Sequence, residues 1–187
     1  MARIAYPRRE TIPDDLAHML DEMPRHAPID MLAHSPEVAR QFLRLAQAQF
    51  TALELPLRDR ELLILAMAAQ VGCEYEYRQH IPISEAAGVD PILRESIWES
   101  TVEDSQLPAR ERVLLAFVGA VAQSPFVEED GFADARQNFS EREIVEMLQL
   151  IGFYWGLGRL CTVLGVEIET ATDLTSVNAV ANLSGRT

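Results

Sequence analysis

The stretch Gly72-Cys73-Glu74-Tyr75-Glu76-Tyr77-Arg78-Gln79-His80 holds the densest set of reactive side chains in this sequence. On a helix, offsets of 0, 3 and 7 place Cys73, Glu76 and His80 along one stripe, with Tyr77 beside them. A thiol, a carboxylate and an imidazole on one face are the parts of a proton relay. An imidazolium can stabilise a neighbouring thiolate, and a helix N-terminus beneath Cys73 would add to that. A further carboxylate, Glu61, stands in the preceding helical stretch and could hold the imidazole in one tautomer or share its proton. The same residues also fit a plainer pattern, a small core cysteine followed by an ordinary Glu-x-x-x-His pair.

The elements that must position these groups read as helical almost throughout. Pro13-Asp14-Asp15 opens a short helix through Met23, with proline and acids suited to a first turn. Ser35-Pro36-Glu37 starts a longer helix through Phe50, and Leu55-Pro56 separates it from a helix over Arg58 to Val71. That helix is apolar all round from Leu62 to Ala69, which requires burial among other helices. Cys73 to Ala87 forms the next, with a kink or break expected at Pro82. A short helix follows from Pro91, and another spans Arg110 to Gln123. The acids Glu128, Glu129, Asp130 and Asp134 mark a solvated helix start. Ser140 and Glu143 form a capping box for a helix through about Trp155, where Gly156 and Gly158 punctuate a continuation through Ile168. Gly152, Gly156 and Gly158 suggest a close helix approach, and Phe153-Tyr154-Trp155 reads as core or subunit contact. No alternating strand pattern persists, so the fold class is all-α. One internal echo stands out: Leu55-Pro56-x-Arg58-x-Arg60-x-Leu62-Leu63 recurs as Leu107-Pro108-x-Arg110-x-Arg112-x-Leu114-Leu115, with Glu61 answered by Val113.

Composition narrows the chemistry. All 16 basic residues among the 187 are arginine, against 29 acids, for a net charge of −13. The absence of lysine removes Schiff-base catalysis, pyridoxal phosphate anchorage and a P-loop lysine. An acidic surface is a poor match for nucleic acid or an anionic membrane. Arginine stays charged, so proton transfer falls to Glu, His, Cys or Tyr, while arginines such as Arg58, Arg60 and Arg78 suit fixed ion pairs or holding a carboxylate. Cys73 and Cys161 form no disulfide framework, and the apolar runs Leu62 to Ala69 and Val113 to Ala122 fall short of a bilayer span. A soluble, cytoplasmic protein is expected. His18, His26 and His34, spaced by eight, match no compact metal-ligand pattern, and no metal or cofactor is expected.

The spacing resembles the carboxymuconolactone decarboxylase family, which includes the alkylhydroperoxidase D proteins. Redox members of that family carry a Glu, a Cys-x-x-Cys twelve residues on, and a His four beyond the second Cys. Here Cys73 follows Glu61 by twelve and His80 follows Cys73 by seven, with Glu76 in place of the second cysteine. Met31-Leu32-Ala33-His34-Ser35-Pro36, the Leu-Pro-x-Arg lead-in and Ile151-Gly152-Phe153-Tyr154 resemble members with an N-terminal arm. The resemblance implies an arm over residues 1–34, a helical domain over 35–169, a tail over 170–187, and a homo-oligomer, a trimer or hexamer. Glu61, Cys73, Glu76 and His80 are expected as catalytic residues, with Tyr77 and Arg58 as substrate contacts, while His34 could cap the helix that follows it or reach the pocket as a further substrate contact. Without a second thiol at position 76, a sulfenic acid at Cys73 would need an external thiol. The decarboxylase side of the family needs no cysteine pair, so the resemblance implies acid–base, lyase-type chemistry on a small organic acid or lactone, with one of Arg58, Arg60 and Arg78 as the cation for the acidic group. The alternatives are a hydroperoxide reductase using Cys73 alone and a non-catalytic, ligand-binding helical oligomer.

Overall fold

The structure, a computed structural model, describes residues 1–22, 26–103, 105 and 107–168. Among these residues the regular elements are all helical, and the fold is all-α. It divides into two compact units, one taking in Met1–Ala52 and residues 160–168, the other Leu53–Arg159. The expected tail, 170–187, lies outside the described residues.

In the first unit a 3-10 turn at Arg9–Thr11 precedes α1 (Asp14–Asp21), α2 (Ala27–Leu32) and α3 (Pro36–Thr51). Met23, the expected end of α1, is outside the described residues. Leu16, Ala33, Ala39 and Leu43 form the core here, with Ile12, Met19 and Ile29 packed against it. Arg40 on α3 grips Asp15 on α1 through Nε and Nη2, each at 2.7 Å, the fork geometry that suits arginine to carboxylate. Pro36 takes the first-turn position of α3 as expected, but the Ser35 side chain makes no capping bond.

The second unit is built around α4 (Leu57–Val71), which packs against α5 (Glu74–Ala86), α6 (Pro91–Glu99) and α7 (Ala109–Gln123). Every residue from Asp59 to Ala68 is buried, which accounts for the lack of a polar face on this helix. Then come α8 (Glu129–Asn138) and α9 (Glu141–Leu164). The Ser140–Glu143 capping box is present: Glu143 N donates to Ser140 Oγ at 3.1 Å, and Ser140 N donates to Glu143 Oε2 at 2.8 Å.

The sequence echo corresponds to a reciprocal contact. Pro56 and Pro108 cap α4 and α7 with nearly identical backbone angles, φ −55, ψ 148 and φ −53, ψ 145. Arg58 Nε then donates to Glu111 at 2.7 Å, and Arg110 Nε donates to Asp59 at 2.7 Å. Arg58 and Arg110 are equivalent positions of the two copies, as are Asp59 and Glu111. Each copy's arginine therefore meets the acid one residue beyond the equivalent arginine of the other, the pattern of an internal two-fold. Arg110 also reaches Glu143 and lies 4.2 Å above the Phe139 ring.

Two expected interruptions are absent. Pro82 lies inside α5 without breaking it; the carbonyl deprived of a partner belongs to Arg78, an exposed residue where water can take it. α9 runs through Gly156 and Gly158 to Leu164. By length and composition alone α9 is a helix long and apolar enough to cross a membrane, a test that the core helix of a soluble protein also passes. Its Met147, Leu150, Ile151, Tyr154 and Leu157 are buried, while Val145, Leu148, Trp155 and Val163 are exposed.

Candidate functional site

Gly72 makes the site possible. It ends α4 in the left-handed region, φ +65, where glycine carries no steric cost. Cys73 N donates to Ala68 O at 2.8 Å and Gly72 N donates to Ala69 O at 3.1 Å, the paired bonds of a Schellman cap. The chain turns within two residues and doubles back as α5, with Cys73 at its N-cap, the positive end of the helix dipole. This reversal brings His80 on α5 against Glu61 on α4.

The central contact joins His80 Nδ1 and Glu61 Oε2 at 2.8 Å, both side chains being almost fully buried. On the other side of the ring, His80 Nε2 stands 3.9 Å from Glu76 Oε2, beyond hydrogen-bond distance. Burial alone would push the His80 imidazole down. The charge and hydrogen bond of Glu61, joined by the charge of Glu76, overcome that and hold it above the ordinary value of 6.5. Glu61 Oε1 is buried with no hydrogen-bond partner among the described residues.

A fourth group comes from α9. The Tyr154 ring stands edge-on to the His80 imidazole, with centroids 5.3 Å apart and planes at 82°. Burial, followed by the charges of Glu76 and Glu61, holds the Tyr154 phenol well above its ordinary range, so it stays neutral. One turn further, Gly158 lies against the α4–α5 junction, where a Cβ would fall 2.6 Å from Val71 Cγ2 and 3.4 Å from Cys73 Cβ. The buried face of α9 therefore covers the stripe from Cys73 to His80. Of the three glycines expected to allow close approach, Gly158 does so, while a Cβ at Gly152 or Gly156 would meet nothing within 4 Å.

Glu61, Glu76 and His80 are thus brought together, and Cys73, only 1% exposed, stands one turn before Glu76 on the same side of α5. Tyr77 turns to α6 instead, its ring 4.6 Å from that of Trp98, and burial raises its phenol. The Arg58 guanidinium is engaged by Glu111 and by the carbonyl of Gly88. Arg78 pairs with Glu74 on the exposed side of α5. Arg60, buried one residue before Glu61, is pushed down by burial and lies in charge reach of Glu61 and Tyr154. His34 belongs to the other unit, where its exposed ring bonds the Ala5 carbonyl at 2.8 Å. No cluster of three His, Cys, Asp or Glu side chains among the described residues has metal-holding geometry.

Sequence reasoning placed Tyr154 in the core, where it is, but not against His80. Its segment, Ile151 to Tyr154, carried a signal as part of the family resemblance, but the aromatic cluster read as core.

The fold is thus an all-α bundle with a buried Glu–His–Glu cluster at a helix reversal. Residues 36–92 match the model of the carboxymuconolactone decarboxylase family. That segment runs from the start of α3 into α6 and carries Glu61, Cys73, Glu76 and His80. The fold is similar to that of an uncharacterised peroxidase-related protein from Ralstonia eutropha JMP134 with an alkylhydroperoxidase core, at 21% identity and a TM-score of 0.77, covering 92% of this chain and 95% of that one. A second peroxidase-related protein, from Silicibacter sp. TM1040, matches at 18% identity and a TM-score of 0.76 over 94% of this chain and 95% of that one. A cysteine-to-alanine variant of the debrominase Bmp8, in complex with 2,3,4-tribromopyrrole, matches at 18% identity and a TM-score of 0.71 over 96% of this chain and 100% of that one. No curated protein matches the sequence.

Proposed function

We propose that this chain is an acid–base enzyme acting on a small organic acid or lactone, with His80 carrying the proton. The observation behind this reading is the buried imidazole between two carboxylates, bonded to Glu61 at 2.8 Å through Nδ1 and facing Glu76 at 3.9 Å through Nε2. A hydrogen bond at Nδ1 fixes the tautomer and stabilises the imidazolium, so Nε2 is the nitrogen that gives up its proton. In a decarboxylation the bond to the departing carbon dioxide breaks, its electron pair stays on the substrate carbon, and the Nε2 proton is delivered there. Glu76 stands where it can return a proton to Nε2. Arg60, buried beside Glu61 and in charge reach of Glu61, Tyr154 and Glu146, is the cation for the substrate's acidic group.

The test is release of carbon dioxide, or ring opening, across a panel of small carboxylic acids and lactones. His80→Ala abolishes the activity found and Cys73→Ser retains part of it. Full activity in the His80 variant sinks the assignment. On the same reading the chain is a homo-oligomer, a trimer or hexamer, and a monomer in sedimentation velocity would refute that part.

A second reading has its own observation, the position of Cys73 at the N-cap of α5. A thiolate there would attack a hydroperoxide oxygen, releasing the alcohol and leaving a sulfenic acid for an external thiol to reduce. The burial of Cys73 shields it from bulk peroxide, which places this reading second. It predicts that Cys73 gains one oxygen by mass spectrometry at near-stoichiometric peroxide, and an inert thiol removes it.

A further inference from the structure

One hydrogen bond does not fix an imidazole that must serve two carboxylates. The 2.8 Å contact holds Nδ1 to Glu61, but Nε2 is 3.9 Å from Glu76, so these two contacts leave the ring plane undetermined about its link to the backbone. A second restraint comes from a different helix. Tyr154 on α9 presents its ring at 82° to the imidazole with centroids 5.3 Å apart, and Tyr154 is in turn flanked by Phe153, whose ring centroid is also 5.3 Å away, at 68°. Edge-to-face pairs have a preferred geometry, so such a contact resists rotation of either ring. Tyr154 is 4% exposed and His80 is 5% exposed, so neither ring has open space to turn into.

We propose that Tyr154 is a positioning residue that locks the ring plane of His80, so that Nε2 stays directed toward Glu76 while Nδ1 stays on Glu61. The ring does this work and the hydroxyl does not. Two features support the assignment. Tyr154 and Gly158 are one turn apart on the same buried face, and the close approach at Gly158, where a Cβ would fall 2.6 Å from Val71, fixes α9 against the helix reversal that bears His80. Tyr154 also stays neutral beside Glu61 and Glu76, so it adds no anion to compete with either carboxylate for the imidazolium. The groups facing His80 are then Glu61 from α4, Glu76 from its own helix and Tyr154 from α9, with Arg60 in charge reach of Glu61 and Tyr154.

The inference concerns the same site as the acid–base reading but is tested without turnover, so either can fail alone. In the wild-type chain with labelled histidine, NMR is expected to show an Overhauser contact between the His80 ring protons and those of Tyr154, with a rigid imidazole in one tautomer. A missing contact or a mobile ring overturns the proposal without any variant. Tyr154→Phe, which keeps the ring, is expected to leave the His80 tautomer and titration midpoint as in wild type. Tyr154→Leu is expected to give averaged imidazole nitrogen shifts and a midpoint moved down toward 6.5, the ordinary value. Wild-type behaviour in the leucine variant overturns the proposal. So does a phenylalanine variant that shifts as far as the leucine one, since the hydroxyl would then be the group that acts. If the leucine variant does not fold, the wild-type and phenylalanine measurements still decide.

Discussion

The three glycines of α9 allow one substitution to be made at three places with opposite expected signs. Replacing glycine by alanine inside a helix stabilises it by about 0.5–1 kcal/mol, because glycine loses more backbone freedom on folding. Gly152 and Gly156 offer open space, with nothing within 4 Å of an added Cβ, so both variants should gain that amount. At Gly158 the new methyl would stand 2.6 Å from Val71 Cγ2 and 3.4 Å from Cys73 Cβ. An ordinary carbon contact is about 3.5–4.0 Å, so α9 or Val71 must move by roughly 1 Å. Val71 ends α4 and is β-branched, hence stiff at χ1, so rotation offers no easy escape. Overpacking of this kind costs about 1–3 kcal/mol, which outweighs the helix gain and leaves Gly158→Ala about 1 kcal/mol less stable than wild type. For a chain of this size that is a fall of roughly 2–4 °C in Tm, against a rise of similar or smaller size for the other two variants. Urea unfolding followed by circular dichroism measures all three, with the slope expected to stay constant. If Gly158→Ala stabilises as much as Gly152→Ala, α9 does not press on the helix reversal and the cover over Cys73 to His80 is looser than described.

Glu146 accepts hydrogen bonds from Glu54 N and Leu55 N, each at 2.9 Å, and pairs with Arg142 Nε. Burial raises its carboxyl, but those backbone bonds and Arg142 outweigh it and hold the group below 4.5. A depressed folded value gives stability that is present above about 4.5 and lost as pH falls through the folded value. Glu146→Gln should therefore cost about 1–3 kcal/mol near neutrality and flatten the acid limb of the stability profile, while an unchanged limb would show the carboxylate to be idle. Arg58→Met leaves Glu111 without its cation, and Arg110→Met leaves both Asp59 and Glu143 without theirs. Because water reaches both arginines, the expected costs are about 1 kcal/mol for the first and about 2 kcal/mol for the second, and equal or negligible losses in urea unfolding would refute the reciprocal pairing.

The catalytic candidates on α4 and α5 were legible because the chain itself sets their relation. Gly72 joins the two helices, so the spacing of Glu61, Cys73, Glu76 and His80 carries nearly all the information about their geometry. Tyr154 was not legible in that way. It arrives from a helix 74 residues after His80, and an apolar helix gives no sign of which aromatic meets a polar partner. The echo at Leu55 and Leu107 was visible as sequence, but its meaning lay in cross-pairs between Arg58 and Glu111 and between Arg110 and Asp59, which no spacing along one helix can show. That is also why Arg58 read as a substrate contact: an arginine beside a site looks the same in sequence whether it faces a ligand or a neighbouring helix. The interruptions expected at Pro82 and at Gly156–Gly158 reflect local propensity, which tertiary packing overrode in α5 and α9.

Titration of His80 by NMR tests most directly whether its carboxylates hold the buried imidazole above its ordinary value. A raised folded value means that the Glu61–His80 pair stabilises the fold fully below about 6.5, with that contribution lost as pH rises through the folded midpoint. The expected result is a His80 midpoint above 6.5 in wild type and a clear fall in Glu61→Gln, with a smaller fall in Glu76→Gln. A wild-type midpoint at or below 6.5, or one that Glu61→Gln leaves in place, would contradict it.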